Sequence, residues 1–313
     1  MSLGELAFIE RLRAFAAHPA ARGLADDAAV MDGLVMTHDM IAEGVHFLPT
    51  DPPASVGWKL VAVNLSDLAA KGAEPMAALM GATLSDDPEW DDLFATGVAA
   101  ACEAYSLPLV GGDTIALPPG VPRIFGLTAI GRAGGRVPAR SGGRPGDRLW
   151  LVGTLGDGAA GLAVLTADPH AEGVLVEAYR RPLPQLAAGR ALAPTAHAMM
   201  DVSDGLLFDL TRMMAASGCG ARVDLAALPL SRAYIAERGQ DRRARLAAAT
   251  GGDDYALLAA LPIDLDPGLS LSLPSGTIIG AIGTLTDGNE LTLFDAAGEV
   301  PLPEQLGYEH RRA

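Results

Sequence analysis

Ala25-Asp26-Asp27-Ala28-Ala29-Val30-Met31-Asp32-Gly33-Leu34-Val35-Met36-Thr37-His38-Asp39 is the stretch that decides the fold. Apolar runs flank Asp32-Gly33 on both sides, the signal of a two-residue β-hairpin, because a type I′ turn needs positive φ at both central positions. Two acidic motifs, Asp26-Asp27 and Thr37-His38-Asp39, therefore sit at the ends of paired strands. Outward from the hairpin, acids recur in short glycine-bearing or apolar contexts: Leu65-Ser66-Asp67, Gly111-Gly112-Asp113-Thr114 and Asp201-Val202-Ser203-Asp204-Gly205. Carboxylates held close together without cations repel one another and take up protons. A hard divalent cation such as Mg²⁺ wants several oxygens of this kind. The clustered acids point to Mg²⁺ and the phosphates it carries.

Around these motifs the chain alternates helix and strand. Residues 1–15 carry Glu5, Glu10, Arg11 and Arg13 among apolar positions at helical spacing, an amphipathic helix rather than a signal peptide. Helices are predicted over 52–73, 88–105, 172–180, 185–193 and 206–216, with a further one after the Gly153–Gly158 turn. Strands are predicted over 76–84, 107–110, 123–130, 149–152, 221–225, 255–261, 277–282 and 291–294. This is an α/β (α+β) pattern. The Gly- and Pro-rich stretch 134–147 breaks the periodicity and divides the chain into two α/β domains, 1–137 and 138–313.

Composition narrows the class of function. At 313 residues, 50% hydrophobic and 19% charged, the chain is long and apolar enough for two cores and contains no continuous apolar run long enough for a membrane span. Its formal net charge of −15 argues against a nucleic-acid surface. Cys102 and Cys219 are the only cysteines, too few for a disulfide framework, which fits a reducing cytoplasm. Lys59 and Lys71 are the only lysines, and neither follows a P-loop glycine pattern, so bound phosphate would rely on arginine, backbone amides and metal.

Taken singly, several motifs have structural readings. Asp26-Asp27 could cap a turn, Asp67 could pair with Lys71 one helical turn later, and Ser203 or Asp204 could cap the helix that follows. His46 could be a satisfied core histidine, and glycine at 112 would let backbone amides approach a phosphate.

Taken together and in order, Asp26 to Val30, Thr37 to Phe47, Val61 to Ala73, Gly111 to Thr114, Asp201 to Leu206 and Gly251-Gly252-Asp253-Asp254-Tyr255 resemble the thiamine-monophosphate kinase family over nearly the whole chain. The resemblance implies the fold of aminoimidazole ribonucleotide synthetase: two α/β domains, the N-terminal one binding ATP and Mg²⁺ and dimerising through its strands. It also implies transfer of a phosphoryl group from ATP to thiamine monophosphate with no general base. Asp26, Asp27, Thr37, His38, Asp39, Asp67, Asp113, Asp201 and Asp204 would stand at the positions of the metal cluster, holding several Mg²⁺ ions. Gly112, Asp113, Arg140 and Ser203 would touch ATP, and His46, Asp253 and Tyr308 would meet thiamine monophosphate. His38 replaces a hydroxyl residue of the family pattern, Ile115 an expected threonine, and Asp253 a glutamate. The rival readings are another ATP-dependent synthetase of the same fold and a non-catalytic nucleotide-binding relative. A homodimer is expected, with the strands around 28–39 and 76–84 offering edges for a second copy.

Overall fold

The computed structural model describes residues 5–309, so the first four residues of the expected N-terminal helix lie outside it; that helix, α1, spans Glu5–Arg13. The hairpin forms as expected, β1 (Ala29–Met31) against β2 (Leu34–Ala42), with Asp32 at φ 52° and Gly33 at φ 77°. α2 (Pro53–Ala70), β3 (Ala73–Leu84), α3 (Pro88–Ala104), β4 (Leu109–Ala116) and β5 (Ile124–Ala133) complete the first unit. Its five-stranded sheet has the order β1-β2-β5-β3-β4, antiparallel except for the β3/β4 pair.

The second unit runs through β6 (Arg148–Val152), α4 (Asp157–Ala167), α5 (Val174–Arg180), α6 (Leu186–Leu192), β7 (Ala198–Val202), α7 (Leu206–Ser217), β8 (Gly220–Asp224), α8 (Arg232–Arg238), α9 (Arg242–Thr250), β9 (Ala256–Leu261), α10 (Pro267–Ser270), β10 (Ile279–Thr286), β11 (Leu291–Asp295) and β12 (Gly298–Val300). Its sheet has the order β12-β11-β8-β10-β6-β9-β7. The first sheet ends at Ala133 and the second begins at Arg148, either side of the Gly- and Pro-rich stretch.

α2 ties the two units together. It starts at a proline in the first turn, which gives up no helical donor, and ends before Gly72 at φ 62°, the left-handed stop. Leu60, Val63, Leu65 and Leu68 fill the core under the first sheet, while Ala69 and Ala70 pack with Val152, Leu257 and Ala259 of the second. A helix covered from both sides is apolar nearly all round. Among its buried polar residues Lys59 and Ser66, together with Lys71 just past its end, reach across to Asp253, Asp201 and Met199 of the second unit.

Two expectations need correction, and one strand was not predicted. Residues 76–84 are no sheet edge: β3 lies between β5 and β4, and the edges are β1 and β4. β4 continues through Gly111 to Ala116, so Gly112-Asp113 stands inside a strand and not in a loop after one. β7, which carries Asp201, escapes the pattern of the sequence because all five of its residues are buried, and Ala198-Met199-Met200 offers neither alternation nor β-branching.

Candidate functional site

A cavity of ≈ 1060 Å³ opens where the two units meet, at the large end of the range for small-molecule sites, about 300–1,000 Å³. Asp26, Asp27, Asp39, His46 and Asp67 line it from the first unit, and Arg140, Asp201, Ser203, Asp204, Asp253 and Tyr308 from the second.

At its floor Asp27, Asp67 and Asp201 each offer a carboxylate oxygen, all within 4.8 Å of one another. They come from three places: the segment leading into β1, the buried face of α2 and the end of β7. Neutral groups orient Asp67 and Asp201. The Thr37 hydroxyl donates to Asp67 Oδ2, Ser66 Oγ donates to Asp201 Oδ2 at 2.8 Å, and Asn64 Oδ1 accepts from the Asp39 amide at 2.9 Å. Burial raises the Asp67 carboxyl well above the usual range, with the Asp39 and Asp201 charges adding to it. Asp201 is raised the same way, by burial and then by Asp27 and Asp209. Asp39 is pushed up to about 6 by burial and by the charges of Asp27 and Asp204. Hydroxyl and carboxylate oxygens, short of positive charge and free of sulfur, fit a hard divalent cation.

The acids before β1 are treated differently. Asp26 Oδ2 pairs with Arg22 Nη1 at 2.5 Å and its Oδ1 with Lys71 Nζ at 2.5 Å. Asp27 Oδ1 accepts from Arg140 Nε, and Lys71 Nζ lies 2.6 Å from Asp27 Oδ2, an oxygen that accepts no hydrogen bond. Burial pushes the Asp26 carboxyl up, but the charge and hydrogen bond of Lys71, with Arg22, outweigh it and hold it below its ordinary value. Arg140 is kept firmly protonated: burial opposes its charge, and Asp27, Asp201 and Asp209 overcome it. Lys71 is thus not the partner of Asp67, and Asp26-Asp27 does more than cap a turn.

The helix-cap reading of Ser203 and Asp204 also fails, since α7 starts after Gly205, with no side-chain cap. Instead Asp209, in the first turn of α7, accepts from the amides of Ser203 and Asp204 at 3.0 Å each, while Arg212 bridges Asp204 at 2.9 Å and Asp209 at 3.2 Å. Burial and the Asp204 charge push Asp209 up to about 7, against Arg212.

At the other end of the cavity His46 Nδ1 accepts from the Ala42 amide at 3.1 Å, which places the proton of the neutral ring on Nε2. Asp253 stands at φ 68° and is held by three groups: Lys59 Nζ at 3.2 Å, the Tyr255 hydroxyl at 3.0 Å and, through its amide, Ser203 O at 2.8 Å. Lys59 also donates to His46 O at 2.9 Å and lies 3.9 Å over the Tyr179 ring. Tyr308 is fixed by its amide to Asp204 O at 2.8 Å and keeps its side chain 46% exposed at the cavity.

Three sequence-predicted residues are not brought to this place. In the register of the first sheet, Met40, Gly126, Gly81 and Asp113 share one row and His38, Thr128 and Leu79 the next but one, so the side chains of His38 and Asp113 lie on the outer face. His38 bonds Thr128 Oγ1 at 2.9 Å there, and is no ligand to the inner cluster of its own chain. Gly112 belongs to the inner row with Asp39, three strands away, about 14 Å at ~4.8 Å per strand. Glycine is needed there for packing, since an added Cβ would lie 1.9 Å from Met80 O.

The pairings of Arg22, Lys59, Lys71, Asp209 and Arg212 were missed in the sequence. The scarcity of lysine was the available signal: both lysines are buried, at 1% and 0% exposure, against site carboxylates.

Two family descriptions match: AIR synthase related protein, N-terminal domain, over residues 25–133, and its C-terminal domain, over residues 144–295. Fold and site thus define an AIR synthase related protein. The thiamine-monophosphate kinase of Escherichia coli (strain K12) is 37% identical over 302 residues, 92% of this chain and 91% of that protein. That of Caulobacter vibrioides is 36% identical over 305 residues, 93% and 86% of the two chains. Among solved structures, one titled "AaThiL complexed with AMPPCP and TMP" superposes with a TM-score of 0.85 at 29% identity, covering 99% of both chains. Hydrogenase maturation protein HypE in complex with ATP, at 21% identity and a TM-score of 0.69 over 94% of this chain and 92% of its own, shares the fold. The chain belongs to the thiamine-monophosphate kinase family.

Proposed function

We propose that this chain transfers the γ-phosphoryl group of ATP to thiamine monophosphate, giving thiamine diphosphate and ADP. The carrying observation is a buried oxygen cluster, Asp27, Asp67 and Asp201, of which Asp67 and Asp201 have no paired cation, in a cavity whose other end holds an oriented histidine, an acid and an exposed aromatic.

Thiamine monophosphate offers a phosphate oxygen whose second pKa near 6 leaves it anionic at neutral pH, so no general base is required. The obstacle is the approach of two polyanions. Asp27, Thr37, Asp39, Asp67, Asp201 and Asp204 would hold several Mg²⁺ ions, which would supply positive charge to neutralise the phosphates. Arg140, already charged against Asp27, and Ser203 would bind the nucleotide phosphates. His46 would present Nε2–H to the accepting phosphate, orienting it without abstracting a proton. Asp253 and Tyr308 would meet the cationic, aromatic thiamine end by charge and stacking. Incubation with ATP, thiamine monophosphate and Mg²⁺ is expected to yield thiamine diphosphate and ADP in equal amounts, and neither product after chelation. Release of ADP and inorganic phosphate without thiamine diphosphate would refute the assignment.

The same reading gives the 1–137 domain most of the metal ligands and the dimer contact, and the 138–313 domain Arg140, Ser203 and the thiamine end. The homodimer is supported by the outer face of the first sheet, where Met40, Leu79, Ile115 and Ile124 share one side and are 39–57% exposed. Asp113 stands on that face, so it would serve as a ligand across the dimer and not within its own chain. Light scattering at micromolar protein is expected to give twice the chain mass of 32.1 kDa, and Met40→Asp to halve it. Cys102 and Cys219 are both unpaired, which supports placement in a reducing cytoplasm. Among the described residues no helix is long and apolar enough to cross a membrane.

A further inference from the structure

The two lysines of the chain occupy unusual positions: each is wholly buried, and each reaches a carboxylate of the cavity. Lys71 carries the argument. Its ammonium touches three oxygens from two segments: Asp26 Oδ1 at 2.5 Å and Asp27 Oδ2 at 2.6 Å before β1, and Met199 O at 3.1 Å in β7. Asp26 and Asp27 together carry two negative charges, and Lys71, Arg22 and Arg140 return three positive ones. By contrast, no lysine or arginine among the described residues makes an ion pair with Asp39, Asp67 or Asp201; Thr37 and Ser66 donate to the Asp67 and Asp201 carboxylates, and Asn64 holds the backbone amide of Asp39. One side of the cluster is already neutralised and the other is not.

We propose that Lys71 is a tethered cation that takes the place of one divalent ion between Asp26 and Asp27, so that this chain binds one metal fewer than its carboxylates could hold. The inference rests on the metal-site reading above. Physically, an ammonium is the side-chain group nearest to a small cation: a compact point charge with three donors, unlike the flat fork of a guanidinium. Its contacts are longer than the 2.0–2.1 Å of a Mg²⁺–oxygen bond, as an N–H donor requires. The end of α2 delivers it. Lys71 closes the last helical turn through its amide to Asp67 O at 3.1 Å, so one short segment sets both a carboxylate that lacks a cation and the cation that serves its neighbours. Lys71 is accordingly a positioning residue: it fixes the Asp27 carboxylate that the inner cluster shares.

Metal counting tests this. Mn²⁺ bound per chain is measured by electron paramagnetic resonance titration for the full-length protein, Lys71→Met and Lys71→Arg. Lys71→Met is expected to bind one more Mn²⁺ than the unsubstituted chain, Lys71→Arg the same number. The metal-free melting temperature of Lys71→Met should fall by about 10 °C, because it takes away the one cation at the buried Asp27 Oδ2, and the loss should be recovered with Mn²⁺. An unchanged count, with no recovery by metal, would make Lys71 a structural ion pair only and overturn the proposal. Should Lys71→Met fail to fold without metal, Asp26→Asn/Lys71→Met, which removes one charge of each sign, is expected to fold and to bind the original number of ions. A double variant no more stable than the single one also overturns it. Absence of any Mn²⁺ binding to the unsubstituted chain would instead sink the metal-site reading on which the inference stands.

Discussion

Two sets of aspartates share one cavity and are handled in opposite ways. Asp26 is buried among Lys71 and Arg22 and is held below its ordinary pKa, whereas Asp39, Asp67 and Asp201 have no cation paired with them and are pushed up by burial and by their neighbours' charges. The residue type is the same throughout. What differs is whether the fold supplies the counter-charge, and the proposed division between acids that position and acids that bind metal rests on that difference.

The strongest way to break the contrast is to neutralise one acid of each set. Asp67→Asn is expected to lower kcat/KM by at least ~100-fold, as loss of a group that holds transition-state charge does. The same change should raise the metal-free melting temperature by several degrees, because an uncompensated buried charge is removed. Asp26→Asn should do the reverse to the metal-free chain, stripping Lys71 and Arg22 of a partner and lowering its melting temperature. Equal signs in the two variants would erase the distinction.

A residue outside both sets sharpens it. Asp253 is paired with Lys59 and Tyr255 at the far end of the cavity, so it should matter to neither metal nor ATP. Asp253→Ala is expected to raise the KM for thiamine monophosphate roughly 10-fold with the KM for ATP nearly unchanged, the mark of lost uniform binding. A selective effect on ATP or Mg²⁺ would move Asp253 into the metal-binding group.

The smallest expected effect is a pH trend. The Asp39 carboxyl is pushed up to about 6 in the folded chain from an ordinary value of about 3.9, so between those limits the folded state binds more protons than the unfolded one. Metal-free stability contributed by this group is therefore present below the lower value and lost as pH rises through the upper, and Asp67 and Asp201 extend the window upward. Mg²⁺ competes with those protons. The rise in melting temperature on adding Mg²⁺ should grow by a few degrees from about pH 5 to about pH 7, and a rise independent of pH would contradict the account.

Much of this was legible from residues alone, and the reasons are specific. Asp32-Gly33 announces its hairpin because few residues tolerate two successive positive φ angles, and α2 shows itself by a first-turn proline and a glycine stop. The acids could be listed as candidates because oxygen clusters of this kind have few other uses. Their faces could not be assigned. His38 sits between Thr37 and Asp39, yet alternation along β2 turns it outward, and only the strand register places Asp113, three strands away, on the same outer side. Lys71 stands one helical turn after Asp67, so sequence distance suggests a pair. In the fold it reaches instead to residues 45 and 44 positions earlier, a choice that depends on where β1 and β7 bring their backbones.

The central claim, that Asp39, Asp67 and Asp201 await metal while Lys71 already serves Asp26 and Asp27, is tested most directly by diffraction from crystals grown with Mn²⁺ and a non-hydrolysable ATP analogue. Anomalous difference peaks are expected within bonding distance of Asp39, Asp67 and Asp201, with Lys71 Nζ still seated between Asp26 and Asp27 and no peak there. A manganese peak between Asp26 and Asp27 with Lys71 displaced, or bare carboxylates at Asp67 and Asp201, would contradict it.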